Sequence, residues 1–340
     1  MKIRENIPIA SLTTMRLGGP AKYVVEIEKP EDIPEAYSFA SERKLPVFVL
    51  GGGANTLGHD EGFDGVLIMN KLRGIDIDAH EDGSATVHAM GGEVWDDLVA
   101  ATCEANLTGI EALSKIPGTV GAAPLQNIGA YGQDVSQVLV NVEVFDTADS
   151  TFKTLSAADL GFAYRKSILN SSEYGRYFVI AATFELKTGQ MTRPFYKSLE
   201  RYIAENNETD FSPAAIRRMV SAIRADKLPD PAFIPSAGSF FKNVYLDDAR
   251  AAECEAAGFP VYHGSDGNKI NSGWLIEQAG LSGKVLHGFR VNEKAALVLI
   301  NDSAESYADL AAARQEIIDT VYAKFGFKLE QEPVEIAWRF

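Results

Sequence analysis

The sequence predicts an α+β fold in two parts, and three observations support this prediction. In the first 140 residues, short apolar or alternating runs are interleaved with amphipathic helical patterns. The segment 109–132 has little periodicity and is rich in Gly, Ala and Pro. After about Lys187 the helical patterns become more prominent and short strand-like runs separate them. A chain of 340 residues is long enough for two or three domains.

The first part is predicted to consist of strands and two helices. Continuous or alternating apolar residues predict strands at 22–28, 46–50, 65–69, 85–90, 138–145 and 177–185. Helical spacing predicts helices at 31–43 and 93–106, the first of them preceded by Pro30. An irregular segment as long as 109–132 inside a compact domain is usually functional. We therefore expect 109–132 to carry function.

The second part is predicted to be mainly helical, with a few strands. Helices are expected at 194–204, 212–226, 247–257, 273–279 and 304–325. Pro229 follows the second of these and should stop it. Strands are expected in "PSAGSFFKN" at 235–243, at 295–301 and at 332–338.

Composition excludes several classes of protein. A net charge of -15 argues against a nucleic-acid or anionic-membrane partner, because phosphates require clustered Lys and Arg. Neither a membrane span nor a signal-type N-terminus is found in the sequence. The two cysteines are far apart, and the five histidines have no metal-ligand spacing, so no disulfide framework or metal site is expected. We expect a cytoplasmic, monomeric protein with a small-molecule substrate.

The segment "LGGGANTLG" at 50–58 follows a predicted strand and resembles a nucleotide-binding turn. Gly51 and Gly53 fit the first two positions of the G-x-G-x-x-G motif, but Thr56 occupies the third. Since no helical pattern follows, a Rossmann site is not predicted. Further glycine-rich turns occur at 16–23, 89–95 and 116–132. Together such turns can cradle a diphosphate with backbone N–H groups, without a cationic patch.

Nine segments, in this order, resemble one enzyme family. They are "RLGGPAKY", "VLGGGANTL", "IPGTVGAAPLQNIGAYG", "FAYRKS", "KLPDP", "AGSFFKNV", "SGWLIEQAGL", "ALVLIN" and "LEQEPVEI". The family is that of UDP-N-acetylenolpyruvoylglucosamine reductases (MurB), and the resemblance spans about 12–336. The insertion "RPFYKSLERY" is similar to the aromatic loop of the family's longer subclass.

The resemblance implies an FAD-binding fold of the vanillyl-alcohol-oxidase/PCMH type plus a smaller α+β substrate-binding domain. The implied limits are an FAD-binding region at 1–197 (subdomains 1–65 and 66–197), a substrate domain at 198–325 and a C-terminal strand at 326–340. FAD is expected to be bound non-covalently, because "GGGANT" lacks the His or Cys of covalent relatives. The implied cofactor-binding residues are Gly51, Gly52, Gly53, Ala54, Asn55, Thr56, Pro117, Gly118, Gly121, Ala122, Asn127, Gly129, Ala130, Tyr131 and Arg224.

The resemblance also implies a reaction, in which NADPH reduces FAD and the enolpyruvyl sugar nucleotide then accepts hydride and a proton. By similarity Ser239 is the proton donor, and Arg165 and Glu332 flank the substrate carboxylate. A protonated glutamate could donate a hydrogen bond there. Strand alternation predicts that Asn243 shares a face with Ser239. By similarity Asn243, Tyr196 and Lys227 contact the substrate diphosphate.

Two other functions remain open at the level of sequence. One is an oxidase of the same fold that passes flavin electrons to oxygen. The other is a non-catalytic protein that binds a UDP-sugar or a flavin. Without the resemblance, Ser239 would be interpreted as a turn or strand-edge serine, Arg165 as a surface arginine and Glu332 as a solvated residue.

Overall fold

The structure is a computed structural model that describes residues 1–264 and 267–336. The chain forms two compact units. Unit 1 comprises Met1–Ile7, Ala21–Gly52 and Asp64–Asp226. Unit 2 comprises Pro8–Pro20, Gly53–Phe63 and Lys227–Phe340. The fold is therefore discontinuous in sequence, because two N-terminal segments join the C-terminal part.

Helices and strands alternate irregularly along the described residues, with several strands of only two to four residues. The α-helices are α1 (Asp32–Glu42), α2 (Trp95–Glu104), α3 (Lys197–Asn206), α4 (Pro213–Lys227), α5 (Asp248–Ala256), α6 (Ser272–Gln278) and α7 (Tyr307–Phe325). The strands are β1 (Lys2–Pro8), β2 (Pro20–Ile27), β3 (Val47–Leu50), β4 (Thr56–Gly58), β5 (Phe63–Asn70), β6 (Ile75–Ala79), β7 (Ser84–Met90), β8 (Leu107–Thr108), β9 (Gly129–Ala130), β10 (Gln133–Asp134), β11 (Leu139–Asp146), β12 (Thr151–Ser156), β13 (Tyr177–Thr188), β14 (Ser236–Ser239), β15 (Val244–Leu246), β16 (Val261–Gly264), β17 (Gly267–Ile270), β18 (Val285–Leu286), β19 (Phe289–Val291), β20 (Val298–Asn301) and β21 (Val334–Ile336).

Unit 1 contains two main sheets. The first has the strand order β1-β2-β5-β3, with β3 and β5 parallel. Helix α1 packs into its core through Ile33, Ala36 and Ala40, which lie on one face at helical spacing. The second sheet has the order β12-β11-β13-β7-β6, and β8 also pairs with β13. Helix α2 contributes Trp95, Leu98, Val99 and Cys103 to the core that includes this sheet. 

Helices α3 and α4 pack together in a smaller core of unit 1. Leu199 and Ile203 of α3 lie in one cluster with Ile216 and Met219 of α4, and the cluster also contains Ala112. This packing explains why unit 1 extends to Asp226, beyond the predicted limit at residue 197. The predicted functional domain limits themselves stay a prediction.

Unit 2 contains a sheet of order β14-β20-β19-β18, a meander of order β15-β17-β16 and the parallel pair β21-β4. Helix α7 supports this unit with Leu310, Ala313, Ile317 and Val321 in its core. A capping box of Ser306 and Asp309 begins α7, and Gly326 ends it in the left-handed region with φ 73°. 

Each strand and helix predicted from sequence overlaps an element of the structure, but the strands predicted in the second part are shorter in the structure. In "PSAGSFFKN" only Ser236–Ser239 forms a strand, with a register shift inside it and a φ of 69° at Gly238. The predicted strand at 332–338 corresponds to β21, and its last two residues lie outside the described residues. 

Among the strands that the sequence analysis missed, β1, β6 and β12 are largely exposed and lie at the edges of their sheets. Edge strands with no buried face lack the alternating apolar pattern by which a strand is predicted. Both cysteines are buried as free thiols. Among the described residues, no helix has both the length and the apolar character that a membrane span requires.

Candidate active site

In unit 1 the first two glycines of "GGGANT" pack closely against the loop at 118–122. A Cβ atom at Gly51 would lie 2.9 Å from Oγ1 of Thr119, and one at Gly52 would lie 3.0 Å from Cα of Gly118. Side chains would therefore separate the two segments. At Gly118, with φ 132°, a Cβ would meet no atom within 4 Å, so this backbone borders open space.

The loop at 118–122 is attached to the segment that begins α2. The N–H of Trp95 donates to the carbonyl of Gly118 at 3.1 Å, and that of Val120 donates to the carbonyl of Glu93 at 2.9 Å. The N–H of Gly121 donates to the carbonyl of Gly91 at 2.8 Å. The predicted cofactor residues Gly118, Gly121 and the neighbouring Ala122 are thus held by main-chain bonds, which is a rigid arrangement for a ligand to approach.

Arg165 contacts the predicted cofactor segment at 127–129. Its guanidinium donates to the carbonyl of Gly129 at 3.1 Å and to that of Asn127 at 3.4 Å. The backbone of Arg165 is left-handed, with φ 52°, and Asn170 donates to its carbonyl at 3.0 Å. Asn127 is itself buried and its side chain bonds the backbone N–H of Ser136. The structure therefore brings Arg165 and this part of the predicted cofactor site together.

Three other predicted residues of unit 1 meet around Tyr131. The rings of Tyr131 and Tyr196 lie edge to face with centroids 5.9 Å apart. Arg224 hydrogen-bonds the Tyr131 hydroxyl. Burial raises the pKa of Tyr131 and lowers that of Arg224, and their hydrogen bond opposes both shifts. Tyr196 directly precedes α3 as its N-cap, so it lies at the helix terminus and not within the helix as predicted.

In unit 2 the remaining part of "GGGANT" is tied to the strand that ends at Ser239. Gly53, with φ 65°, lies against the backbone of Thr13, and its carbonyl accepts from the N–H of Thr14 at 3.0 Å. The Thr14 hydroxyl donates to the carbonyl of Ser236 at 2.6 Å, and the Ser236 N–H returns a bond to Thr14 at 3.1 Å. Thr14 thus connects the glycine turn to β14.

The segment that carries Glu332 is fixed on both sides within unit 2. The N–H of Glu332 donates to the carbonyl of Phe240 at 2.9 Å, directly after the exposed Ser239. Two residues further, the N–H of Val334 donates to the carbonyl of Asn55 at 2.9 Å. The backbone at Glu332 therefore lies beside the residue after Ser239, and the chain continues into the β21-β4 pair.

The argument that placed Asn243 on the face of Ser239 is wrong. Because β14 ends at Ser239 and the next strand begins at Val244, no continuous strand joins the two residues. The side-chain oxygen of Asn243 accepts from the N–H of Ser272 at 3.3 Å. Lys227 is the last residue of α4, and its carbonyl accepts from the side chain of Asn292 at 3.0 Å. 

A polar cluster that the sequence analysis missed surrounds Glu335. Its carboxylate accepts from the Tyr307 hydroxyl at 2.5 Å and from Arg314 at 2.9 Å, and lies 3.3 Å from Nε2 of His59. Burial raises the pKa of Glu335, but the Tyr307, Arg314 and Gln331 hydrogen bonds outweigh it and leave the pKa lowered. His59 therefore lies beside a carboxylate that is already bound by Tyr307 and Arg314. Gln331 and Glu335 of "LEQEPVEI" both belong to this cluster, but no local sequence pattern indicates that they meet Tyr307, Arg314 and His59.

The residues present fit a bound FAD. Glycine backbone bordering open space at Gly118 can take a phosphate or a flavin ring at close approach. In unit 2 the Thr13 hydroxyl is buried and has no hydrogen-bond partner among the described residues, while its backbone packs on Gly53. A buried hydroxyl without a partner is costly unless a ligand or water supplies one. 

Comparisons with known proteins agree with this assignment. Residues 21–156 match the model of the FAD binding domain family, and residues 230–336 match that of the UDP-N-acetylenolpyruvoylglucosamine reductase C-terminal domain. A UDP-N-acetylenolpyruvoylglucosamine reductase from Ralstonia nicotianae is 40% identical over 97% of this chain and 98% of its own. One from Neisseria gonorrhoeae is 37% identical over 97% of this chain and 96% of its own.

A solved structure shows the same fold. The crystal structure of UDP-N-acetylenolpyruvylglucosamine reductase (MurB) from Thermus caldophilus aligns with a TM-score of 0.69 at 24% identity, over 98% of this chain and 99% of that chain. The matched domains, the named relatives and the fold define an FAD-dependent oxidoreductase with an α+β FAD-binding fold. Within that class, the chain belongs to the UDP-N-acetylenolpyruvoylglucosamine reductase family.

Proposed function

We propose that this protein reduces UDP-N-acetylglucosamine enolpyruvate to UDP-N-acetylmuramate, a peptidoglycan precursor, with NADPH as reductant. Membership of the reductase family supports the substrate class. The observation that carries the proposal is the arrangement in unit 2, where the exposed Ser239 directly precedes Phe240, whose carbonyl binds the Glu332 backbone. An acid and a carboxylate on adjoining segments suit a reaction that adds a proton next to a substrate carboxylate.

FAD, held by the predicted cofactor residues, would supply the redox chemistry, namely the transfer of a hydride from NADPH to the vinyl carbon of the substrate remote from the ether. The substrate then holds negative charge on its other vinyl carbon, delocalised into the carboxylate. Ser239 donates the proton to that carbon. A serine hydroxyl is a weak acid, but the acceptor is a basic carbanion, and nearby donors can stabilise the alkoxide that remains.

Arg165 and Glu332 are assigned to the substrate carboxylate. The guanidinium of Arg165 offers a planar fork of donors for a carboxylate. Glu332 acts protonated and donates a hydrogen bond, because the negative charge of the substrate carboxylate beside it disfavours a second carboxylate anion there. Lys227, Asn243 and Tyr196 are assigned to the diphosphate of the substrate.

Replacement of Ser239 by Ala tests the proposal. Reduction of the flavin by NADPH should be unchanged, because that step does not use the hydroxyl. Reoxidation of the reduced flavin by substrate should slow by about 10²–10⁴-fold, as for a lost general acid. Stopped-flow flavin absorbance measures each half-reaction separately.

The matched control is Ser236→Ala, in the same strand but buried. It should leave both half-reactions close to wild type. Equal slowing of both half-reactions in Ser239→Ala would indicate damage to flavin binding, and no slowing of either would remove Ser239 from the mechanism. NADPH oxidation that does not depend on the enolpyruvyl substrate would favour an oxidase, and none at all would favour a binding protein.

The proposed FAD linkage is non-covalent. No His or Cys occurs in "GGGANT", and the nearby His59 is engaged with Glu335 and stacks on Tyr307 with ring centroids 3.8 Å apart. Acid precipitation of the purified protein should therefore leave FAD in the supernatant. Flavin that remained with the precipitated chain would contradict this linkage.

A further inference from the structure

One carboxylate of helix α2 in unit 1 binds two other segments that carry or flank predicted cofactor residues. Asp96 lies in the first turn of α2, and its two oxygens accept from Nη1 and Nη2 of Arg217 at 2.5 and 3.0 Å. They also accept from the backbone N–H of Lys115 at 2.7 Å and lie 2.9 Å from its Nζ. Burial raises the pKa of Asp96, but these partners outweigh burial and hold it well below its usual range. Asp96 is therefore ionised at neutral pH.

The hydrogen bond to Lys115 fixes the backbone just before the glycine-rich segment at 116–132. Lys115 is a non-glycine residue in the left-handed region, with φ 61°, a conformation that persists only when its surroundings impose it. The next residues are Ile116, Pro117 and Gly118, and the carbonyl of Gly118 is bound by the N–H of Trp95. Adjacent residues of α2 thus hold both sides of this turn, Trp95 by its backbone and Asp96 by its side chain.

The bond to Arg217 attaches α4 to the same carboxylate. Arg217 and Arg224 are seven residues apart, close to two helical turns, so they lie on one face of α4. Arg224 in turn binds the Tyr131 hydroxyl. A carboxylate that pairs with the planar fork of Arg217 through two nitrogens fixes orientation as well as distance. Asp96 therefore sets the position of the loop relative to the helix that carries Arg224.

We infer that Asp96 is a positioning residue for the FAD site, fixing the loop at 115–122 and helix α4 to one point. Asp96 acts through Lys115 and Arg217 and does not touch the cofactor itself. The inference rests on the assignment of Pro117, Gly118, Gly121, Ala122 and Arg224 to the cofactor site.

The test is the affinity of apoprotein for FAD, measured by quenching of flavin fluorescence. Asp96→Asn leaves the Arg217 guanidinium without its anionic partner and weakens the hold on Lys115, so its Kd should rise by at least about tenfold. The visible absorption bands of its bound flavin should also change shape. Asp96→Glu keeps the charge but displaces it by one methylene, and its Kd should lie between those of wild type and Asp96→Asn.

Asp146→Asn is the matched control. Asp146 is a buried carboxylate of unit 1 that is bound by Arg176 and Lys153, and its pKa is also held well below its usual range. Its loss should lower stability but leave the FAD Kd within about twofold of wild type. If Asp96→Asn and Asp146→Asn weakened FAD binding equally, the loss of affinity would be due to lower stability of unit 1, and the inference would be overturned.

Arg217→Gln is the alternative variant if Asp96→Asn does not fold. It keeps the hydrogen bond between Asp96 and Lys115 and removes only the ion pair with α4. It should raise the Kd for FAD, because α4 loses its attachment. Unchanged FAD affinity and spectra in Asp96→Asn, or in Arg217→Gln if the former does not fold, would overturn the inference. In that case the wild-type protein would still bind FAD and oxidise NADPH in a substrate-dependent manner. The inference can therefore be wrong while the proposed function is right.

Discussion

Tyr196 is an exposed aromatic side chain with a specific neighbour. Its side chain is 54% exposed, and the ring packs edge to face on Tyr131. A tyrosine carries an apolar ring and a polar tip, and here ring packing keeps the exposed side chain in place. Because Tyr196 is the N-cap of α3, its backbone position is set by the helix terminus. These features support its proposed role as a diphosphate contact.

Tyr196→Phe should weaken substrate binding and spare flavin reduction by NADPH. The change keeps the ring contact with Tyr131 and removes one hydrogen bond to a charged group. Such a bond is worth about 1.5–3 kcal/mol, or roughly ten- to a hundred-fold in affinity. Substrate titration of the oxidised protein, followed by flavin absorbance, measures the effect. Tyr322→Phe, at a tyrosine of α7 that is 59% exposed, is the control, and an affinity unchanged in both would remove Tyr196 from the site.

At the scale of elements, the segment around Glu332 is held by the β21-β4 pair and by helix α7. Arg314 of α7 donates to Gln331 at 2.6 Å and to Glu335 at 2.9 Å. These two residues lie on either side of Glu332 in the sequence, so α7 holds the segment before and after it. This connection holds the chain on both sides of Glu332, which lies just before β21.

Arg314→Met should destabilise the protein and slow its reaction with substrate more than its reaction with NADPH. Loss of charged hydrogen bonds to Gln331 and Glu335 should lower the free energy of unfolding by about 1–3 kcal/mol. Reoxidation of reduced flavin by substrate should slow because Glu332 is less well held. Urea unfolding and stopped-flow absorbance measure the two effects.

Arg290→Met is the control, because Arg290 makes a two-nitrogen pair with Asp302 in the same unit. Arg290→Met should lower the free energy of unfolding, but it should not slow flavin reoxidation by substrate more than flavin reduction by NADPH. If both variants slowed the two half-reactions alike, the proposed hold on Glu332 would be wrong.

At the scale of the whole molecule, two ionised carboxylates with lowered pKa values, the buried Asp146 and the half-buried Asp96, contribute to the response to acid. The hydrogen bond from Arg176 lowers the pKa of Asp146, burial opposes this, and Lys153 lowers it further. A depressed folded-state pKa contributes stability that is complete above the unfolded pKa of about 3.9 and declines as pH falls toward the folded value. Asp146 and Asp96 should therefore stabilise unit 1 fully at neutral pH and progressively less below about pH 4.

The difference in urea midpoint between wild type and Asp146→Asn tests this pH dependence. It should be largest at neutral pH and should shrink as pH is lowered from about 5 to 3, because the unfolded wild-type carboxyl then takes up a proton. Unfolding curves at several pH values, followed by circular dichroism, provide the measurement. A difference independent of pH would mean that Asp146 acts through packing and not through its charge.

Local sequence patterns were sufficient for the main elements and for the family. Helix α2 was predictable because Trp95, Leu98, Thr102 and their neighbours repeat at helical spacing. The glycine turn was identifiable from the sequence. The prediction that no helix follows it is confirmed, because strand β4 follows "GGGAN". The order of nine motifs identified the family, which the comparisons show.

Tertiary structure alone decided which distant segments meet. The bond between Thr14 and Ser236 joins residues 222 apart, and that between Asp96 and Arg217 joins residues 121 apart. The end of β14 at Ser239, which invalidated the alternation argument for Asn243, depends on pairing with β20. The physical reason is that periodicity and turn chemistry act over a few residues, whereas ion pairs and short strands are fixed only when remote partners supply the other half of each contact.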